Sequence, residues 1–259
     1  MRYAATLLFV LALQLCAPEA QNGQKPKDAA DRKATAQDAA RRVVCIDPGH
    51  PSEVSSGRVE QNGTNETAVA WSVALKLRRA LEERGYEVVM TKSAEGELVK
   101  NRDRALAANR AGADLMVRLH CDASIERGYA VYYPDREGRA KDGTRGPAPH
   151  VVESSRRAAE AVHAGMREGL AGALNDNGVR TDFQTKVGRD QGGALTGSIF
   201  SDVPVVTVEM VVLSDPGDAA FIKTEEGQQR MASSIADGIT RFLSSESPDM
   251  TKKQPRRKQ

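Results

Sequence analysis

Aromatic residues are scarce in this chain: they make up 4% of its 259 residues, and only one of them is a tryptophan. A hydrophobic core must therefore be built mainly from valine, leucine, isoleucine and alanine. The three cysteines are too few for a disulfide-stapled mini-protein. The chain has no internal repeat, and no apolar run approaches the roughly 20 residues of a membrane-spanning helix. With 40% hydrophobic and 28% charged residues, the composition also excludes disorder, collagen and a coiled coil.

An excess of one charge sign is also missing. The chain has 37 Lys and Arg against 35 Asp and Glu, a net charge of +2. The small surplus lies near the C-terminal end, at Lys252, Lys253, Arg256, Arg257 and Lys258, so the rest of the chain is slightly acidic. No basic surface for nucleic acid is indicated, and we predict no nucleic-acid partner.

The longest apolar run, residues 4–15 (AATLLFVLALQL), is typical of a secretory signal. We predict a signal peptide over residues 1–20 and an exported protein, located in the periplasm or in the extracellular space and cell wall. Two alternatives remain open: a lipoprotein attached through Cys16, and a membrane anchor that is never removed. Membrane association is expected only if this segment is retained.

Three further segments follow. Residues 21–41 are polar and predict a tether without a core. Residues 42–244 are predicted to form one folded domain, and residues 245–259 a basic, disordered tail.

Short apolar runs alternate with helical patterns along residues 42–244. This alternation predicts an α/β domain with a mainly parallel, twisted β-sheet that is covered by helices on both faces. The predicted strands are Val43–Ile46, Tyr86–Thr91, Asp114–His120, Gly128–Tyr133 and Pro204–Met210, and the predicted helices are Thr64–Arg84, Leu98–Ala111, Val152–Leu174 and Glu225–Leu243.

Cys45 and Cys121 remain if the signal is cleaved, and both lie in or beside apolar runs. A disulfide is one interpretation for an exported protein. We favour two buried free thiols.

Four residues carry the chemistry. His50 follows the first predicted strand, His120 ends the third, and Glu209 lies near the end of the last. Glu66 lies at the start of the first helix. Ligand sites in such sheets lie beyond the carboxyl ends of strands, and two histidines with one glutamate form a known catalytic zinc set. The alternative is that these are ordinary capping or structural residues, although a carboxylate in an apolar strand such as that of Glu209 is costly to bury without a function.

Several segments, in this order, carry a family resemblance. Val43–His50 (VVCIDPGH) resembles the first strand and zinc-histidine turn of the zinc-dependent N-acetylmuramoyl-L-alanine amidases, the Amidase_3 family. The likeness covers about residues 43–243 and continues in Glu66 and its helix, Glu87–Thr91, Arg104–Asn109, Ala113–His120, Ser154–Ala161 and Val208–Pro216. The sequence departs from the family at Pro51-Ser52, Cys121-Asp122 and Val211-Val212.

The resemblance implies a function and roles for the four residues. Residues 42–244 would be an amidase catalytic domain that cleaves the amide between N-acetylmuramic acid and L-alanine in peptidoglycan. His50, Glu66 and His120 would bind Zn²⁺, and Glu209 would be the catalytic general base. Peptidoglycan is the expected partner, and a protein activator is a partner that the sequence leaves open.

Two other functions also remain open: a zinc peptidase that acts within the stem peptide, and a non-catalytic peptidoglycan-binding protein of the same fold. The charged segment 134–150 is predicted to be a loop. His150, at its end, either contacts substrate or is merely solvated, and we favour solvation.

Overall fold

The computed structural model describes residues 42–122 and 126–246. These residues form eight strands, seven α-helices and a short 3₁₀ helix at Asp182–Gln184. In chain order the elements are β1 Val43–Pro48, α1 Glu66–Glu83, β2 Glu87–Met90, α2 Asn101–Ala111, β3 Leu115–Asp122, β4 Tyr129–Tyr133, β5 Gly138–Arg139, β6 Arg145–Gly146, α3 Pro149–Gly169, β7 Asp176–Thr181, α4 Lys186–Asp190, α5 Thr196–Ile199, β8 Val205–Val212, α6 Pro216–Lys223 and α7 Glu225–Ser245.

Six strands form one sheet in the order β2-β1-β3-β8-β4-β7. Strands β2, β1, β3 and β8 are parallel to one another. Strand β4 is antiparallel to β8 and parallel to β7. The predicted α/β class with a mainly parallel sheet is therefore confirmed, with one antiparallel junction between β8 and β4.

The two faces of the sheet differ in polarity. Along β3, Leu115, Val117 and Leu119 point into the main core, which helices α1, α3 and α7 cover. Met116 lies on the opposite face, in a smaller apolar cluster against α2. Since neighbouring residues of a strand alternate between faces, Arg118 and His120 follow Met116 on that second face. The second face therefore changes from apolar to polar toward the carboxyl ends of the strands.

Helix α1 forms where the sequence predicts it. The side chain of Asn65 caps its first turn by accepting a hydrogen bond from the Ala68 amide at 3.0 Å. The predicted stripe of Val69, Val73, Leu77 and Leu81 is at most 2% exposed. Burial of this stripe fixes the rotation of the helix and thereby the direction in which its first residue, Glu66, points.

The structure corrects several predicted boundaries. Helix α3 covers Pro149–Gly169, earlier than the predicted Val152–Leu174, because Pro149 starts the helix at its first position. Strand β3 continues beyond His120, and β8 continues beyond Met210. Strand β7 was not predicted: its sequence, DNGVRT, lacks the apolar alternation that marks a strand, since β7 lies at the edge of the sheet.

Segment 134–150 is more ordered than the predicted loop. Its strands β5 and β6 pair in a small antiparallel hairpin, and Gly138 and Gly146 are buried within it. The backbone of this hairpin approaches helix α5 so closely that a Cβ on Gly146 would lie 2.2 Å from the Ile199 carbonyl oxygen. His150 belongs to the first turn of α3 and is exposed there.

Other predictions concern thiols and the two ends of the chain. Cys45 and Cys121 are both buried and form no disulfide with each other, as predicted. The predicted signal peptide, the tether and most of the basic tail lie outside the described residues, although α7 extends to Ser245. Within residues 42–122 and 126–246, no helix is both long and apolar enough to cross a membrane.

Candidate active site

The carboxyl ends of three parallel strands bring the predicted residues together. His50 follows β1, and the Gly49 amide donates to the Leu119 carbonyl oxygen at 2.8 Å, which ties this turn to β3. His120 on β3 is in register with Glu209 on β8. Both lie on the second face, because they follow Arg118 and Thr207 at a spacing of two residues.

Glu66 lies between the two histidines. Its Oε2 is 3.1 Å from His50 Nε2, and its Oε1 is 2.9 Å from His120 Nδ1. The Cys121 amide also donates to Oε1, at 3.1 Å. The three side chains are 13–19% exposed, so the cluster is shielded but remains open to a small molecule.

The orientation of His50 is set by its loop. Its Nδ1 donates to the Ser55 carbonyl oxygen at 3.1 Å, which leaves Nε2 facing Glu66. His50 itself has φ 51°, an uncommon conformation for a residue with a side chain. Gly57, with φ +63°, packs against the ring: a Cβ there would lie 2.6 Å from His50 Cγ. The backbone therefore fixes this imidazole on one side.

The electrostatics of the cluster favour an ionised carboxylate beside the imidazoles. Burial opposes ionisation of Glu66, but its hydrogen bonds with His120 and His50 outweigh burial and hold its pKa far below the usual range. Burial disfavours protonated His50 too, yet the hydrogen bond and charge of Glu66 raise its pKa. For His120 burial dominates, and its pKa is lowered.

The donor set fits a divalent metal ion. One ligand atom from each of His50, Glu66 and His120 lies within 4.8 Å of the other two. Imidazole nitrogen and carboxylate oxygen are both zinc ligands. The bond from His50 Nδ1 to a backbone carbonyl is also the arrangement that orients metal-binding histidines. These three residues could therefore hold the predicted ion.

Gly57→Ala tests how far the loop controls His50. A methyl group at position 57 must displace the His50 ring, so we expect zinc affinity to fall by roughly 10- to 100-fold, as when other supporting contacts are lost. Gly63→Ala is the matched control: Gly63 also has positive φ, but a Cβ there would meet only Lys223 Nζ, at 3.6 Å. Competitive titration against a zinc chelator measures both variants. Equal affinities would remove the role assigned to Gly57.

A buried ionic network lies beneath the turn that holds His50. Asp47 Oδ1 accepts from Arg104 Nη1 at 2.6 Å and from Thr91 Oγ1 at 2.5 Å, and Asp47 Oδ2 accepts from Arg118 Nε at 3.0 Å. Arg104 also donates to the carbonyl oxygens of Pro48 and Pro51, on either side of His50. Burial opposes ionisation of Asp47, but Arg104 and Arg118 lower its pKa to about 2.

We expect Asp47→Asn to lower the free energy of unfolding at pH 7 by about 3–5 kcal/mol, because two buried guanidinium groups lose their counter-charge. The ordinary pKa of 3.8 is depressed to about 2 in the folded state, so the ionised form stabilises the wild type above about pH 4. This contribution is lost as the pH falls through 2. The difference in the free energy of unfolding between wild type and variant should therefore become smaller there. Urea unfolding at several pH values measures it.

The matched control for Asp47→Asn is Glu87→Gln, which removes a negative charge at an exposed position of β2. It should change the free energy of unfolding by less than about 0.5 kcal/mol. A similarly small effect of Asp47→Asn would show that the network contributes little to stability.

A cavity of about 360 Å³ opens beside the histidine cluster. Two sides of its wall come from β3 and β8, and the others from α2, from the loop after His50 and from residues 185–197. Its wall includes His50, His120, Glu209, Arg118, Thr207, Asn101, Ser52, Val54, Thr185, Lys186, Val187, Gln191, Leu195, Thr196 and Gly197. Glu209 therefore faces the same space as the two histidines.

The structure thus brings together all four residues singled out in the sequence. His150 is not part of the cavity wall. Sequence reasoning missed Arg118. It is a charged residue inside a predicted strand, and it lies two residues before His120, so both are on the same face of the strand. The same signal drew attention to Glu209.

A parallel sheet with a His-Glu-His cluster and a further carboxylate beside one cavity is the arrangement expected of a metal-dependent hydrolase. The sequence model described as N-acetylmuramoyl-L-alanine amidase matches residues 44–241. The chain belongs to this family, and both the predicted family and the predicted enzyme class are confirmed.

Individual relatives agree with the family match. The chain is similar to the N-acetylmuramoyl-L-alanine amidase AmiC of Neisseria meningitidis, with 26% identity over 229 residues that cover 78% of this chain and 53% of that protein. The N-acetylmuramoyl-L-alanine amidase Rv3717 of Mycobacterium tuberculosis is 26% identical over 82% of this chain and 91% of its own length. The structure of AmiC2 of Nostoc punctiforme has the same fold, with a TM-score of 0.63, 24% identity, and coverage of 78% of this chain and 97% of that one. The chain thus spans about half of the Neisseria protein and most of the other two.

Proposed function

We propose that this protein is a zinc-dependent N-acetylmuramoyl-L-alanine amidase, which hydrolyses the amide between N-acetylmuramic acid and L-alanine in peptidoglycan. The observation that carries the proposal is the convergence of His50, Glu66 and His120, with ligand atoms within 4.8 Å, on the cavity that Glu209 also lines. Family membership gives the bond and the substrate.

The three clustered residues would hold the ion. When bound there, zinc would lower the pKa of a coordinated water toward 7 and polarise the scissile carbonyl. Glu66 is held ionised by its hydrogen bonds to the two imidazoles, and the loop from Ser55 to Gly57 fixes His50. The protein thus supplies a ligand set that is arranged before the ion arrives.

Glu209 is the proton carrier in this proposal. Its register with His120 puts its carboxylate beside the cluster, on the neighbouring strand. A carboxylate in this position accepts a proton from the attacking water and returns it to the nitrogen of the leaving L-alanine. Hydrolysis then gives a free lactyl carboxylate on the sugar and a free amino group on the peptide.

Mass spectrometry of soluble products tests the function. The chain from Gln21 onward is incubated with purified peptidoglycan, with zinc and with a chelator. We expect free stem peptides with an N-terminal L-alanine in the zinc sample and none with chelator. Shorter fragments cut inside the stem peptide would establish the zinc peptidase instead. Binding to peptidoglycan without soluble product, in the zinc-loaded protein, would establish the non-catalytic binder.

We infer export from the apolar run at residues 4–15. Fractionation of cells that produce the full chain should recover it outside the cytoplasm. A cytoplasmic location would contradict the predicted signal peptide. Addition of a candidate protein to the digestion assay tests whether the protein needs an activator.

A further inference from the structure

Arg118 is a cation in the wall of the active-site cavity, and the proposed mechanism does not use it. It lies on β3 two residues before His120, on the same face of the sheet. Its side chain is 5% exposed, although it contributes to the cavity wall. A guanidinium group is seldom buried in this way without several partners.

The protein holds one edge of this guanidinium. Nε donates to Asp47 Oδ2 at 3.0 Å, and Nη2 donates to Asn101 Oδ1, also at 3.0 Å. The third nitrogen, Nη1, donates to no residue among 42–122 and 126–246. Since an arginine offers its five N–H donors in a fixed fork, donors at Nη1 remain for a ligand in the cavity.

Gly197 of α5 packs closely against the guanidinium and keeps it in place. A Cβ at position 197 would lie 2.8 Å from Arg118 Cζ and 2.9 Å from both Nε and Nη1. The glycine backbone therefore packs directly against the guanidinium. With Asp47 and Asn101 on its edge, the side chain is fixed before any ligand binds.

Among residues 42–122 and 126–246, Arg118 forms an ion pair with Asp47 alone. Arg104 and Arg118 share the one carboxylate of Asp47. The residue next to Arg118 on β8 is the neutral Thr207. A ligand with negative charge is therefore favoured at this point of the cavity.

We propose that Arg118 binds a carboxylate of the stem peptide and thereby determines which stem peptides are cleaved. The inference rests on the proposed amidase function. Two residues along a strand span about 6.6 Å, which separates Arg118 from His120. An extended peptide covers a similar distance in two residues. The α-carboxylate of the glutamate that follows the stem L-alanine therefore reaches Arg118 when the scissile amide lies at the His50-Glu66-His120 cluster.

Two synthetic substrates test this. Both contain N-acetylmuramic acid joined to L-alanine, γ-linked D-glutamate and an amidated L-lysine, and they differ only in whether the glutamate α-group is a carboxylate or a carboxamide. We expect the zinc-loaded protein to cleave the carboxylate form with a kcat/KM at least about tenfold higher, since a charge-assisted hydrogen bond is lost in the amide. Arg118→Gln should bring this ratio close to one.

The ratio of the two substrates is its own control for folding. Asp47 loses a partner in Arg118→Gln, so part of this variant could misfold. Misfolding lowers the cleavage rates of both substrates equally and does not change their ratio. Arg118→Lys should give an intermediate ratio, because it keeps the charge without the fork. Lys186→Gln removes an exposed cation from the same cavity wall, and its ratio should stay within about twofold of the wild type.

Equal cleavage of both substrates by the wild type would overturn the inference, and so would an unchanged preference in Arg118→Gln. Release of stem peptides from whole peptidoglycan, measured in parallel, separates this failure from a wrong function. If release occurs and neither ratio behaves as expected, only the carboxylate site is wrong. If the zinc-loaded protein releases nothing, the proposed amidase function fails and the inference fails with it.

Discussion

Glu209→Gln should lower kcat/KM for release of stem peptides by about a thousandfold while the protein keeps its zinc. Positioned acid–base groups contribute roughly 10²–10⁴ to rates, and glutamine has the shape of glutamate but cannot accept the proton. Glu209 is not one of the three clustered ligands, so metal content should not change. The measurements are product release by mass spectrometry and zinc content by elemental analysis.

The control for Glu209→Gln is Glu160→Gln, which removes a carboxylate from an exposed position of α3 and should leave activity unchanged. Thermal unfolding of all three proteins shows whether the fold is intact. If the folded, zinc-loaded Glu209→Gln variant kept more than about a tenth of wild-type activity, Glu209 would not be the general base.

Loss of a metal ligand should have an effect of similar or larger size. We expect His50→Ala and His120→Ala each to reduce bound zinc from about one ion per chain to less than about a tenth, because only two of three ligands remain. Activity should fall to background for the same reason. Zinc and activity should be lost together when wild-type protein is treated with a chelator, and both should return when zinc is added.

The chain provides its own matched control for the histidines. His163 lies on α3, where its Nε2 pairs with Asp176 at 2.7 Å, and it does not line the cavity. His163→Ala should therefore keep both zinc and activity. Full zinc occupancy in His50→Ala or His120→Ala would refute the ligand assignment. Loss of zinc without loss of activity would refute the need for metal.

The antiparallel junction between β8 and β4 influences where substrate can bind. Because β4 runs opposite to β8 and pairs Ala130 with Glu209, the set of strands that end together stops at β8. Glu209 is therefore on the last strand whose carboxyl end faces the site. The position agrees with the general rule that ligands in an open α/β sheet bind outside the carboxyl ends of the strands.

Local sequence determined the framework of the site. The apolar runs of β1, β3 and β8 and the stripe of α1 are visible without a structure, because burial requires that each repeat with the period of its element. His50, Glu66, His120 and Glu209 could be singled out because each lies at the end of an element or is a charge within an apolar run. Strand β7 could not be predicted, because an edge strand buries few apolar side chains and its sequence therefore lacks a hydrophobic period.

How these residues meet depends on the tertiary fold. Glu66 is 16 residues from His50 and 54 from His120 in the chain, and their contacts depend on the order β1-β3-β8 and on the packing of α1 against the sheet. The same holds for Arg118, whose contacts with Asp47, Asn101 and Gly197 join four separate elements. Sequence determines which residues alternate on a strand, because that is local geometry. Which strands become neighbours depends on the packing of the whole domain, and this packing forms the site.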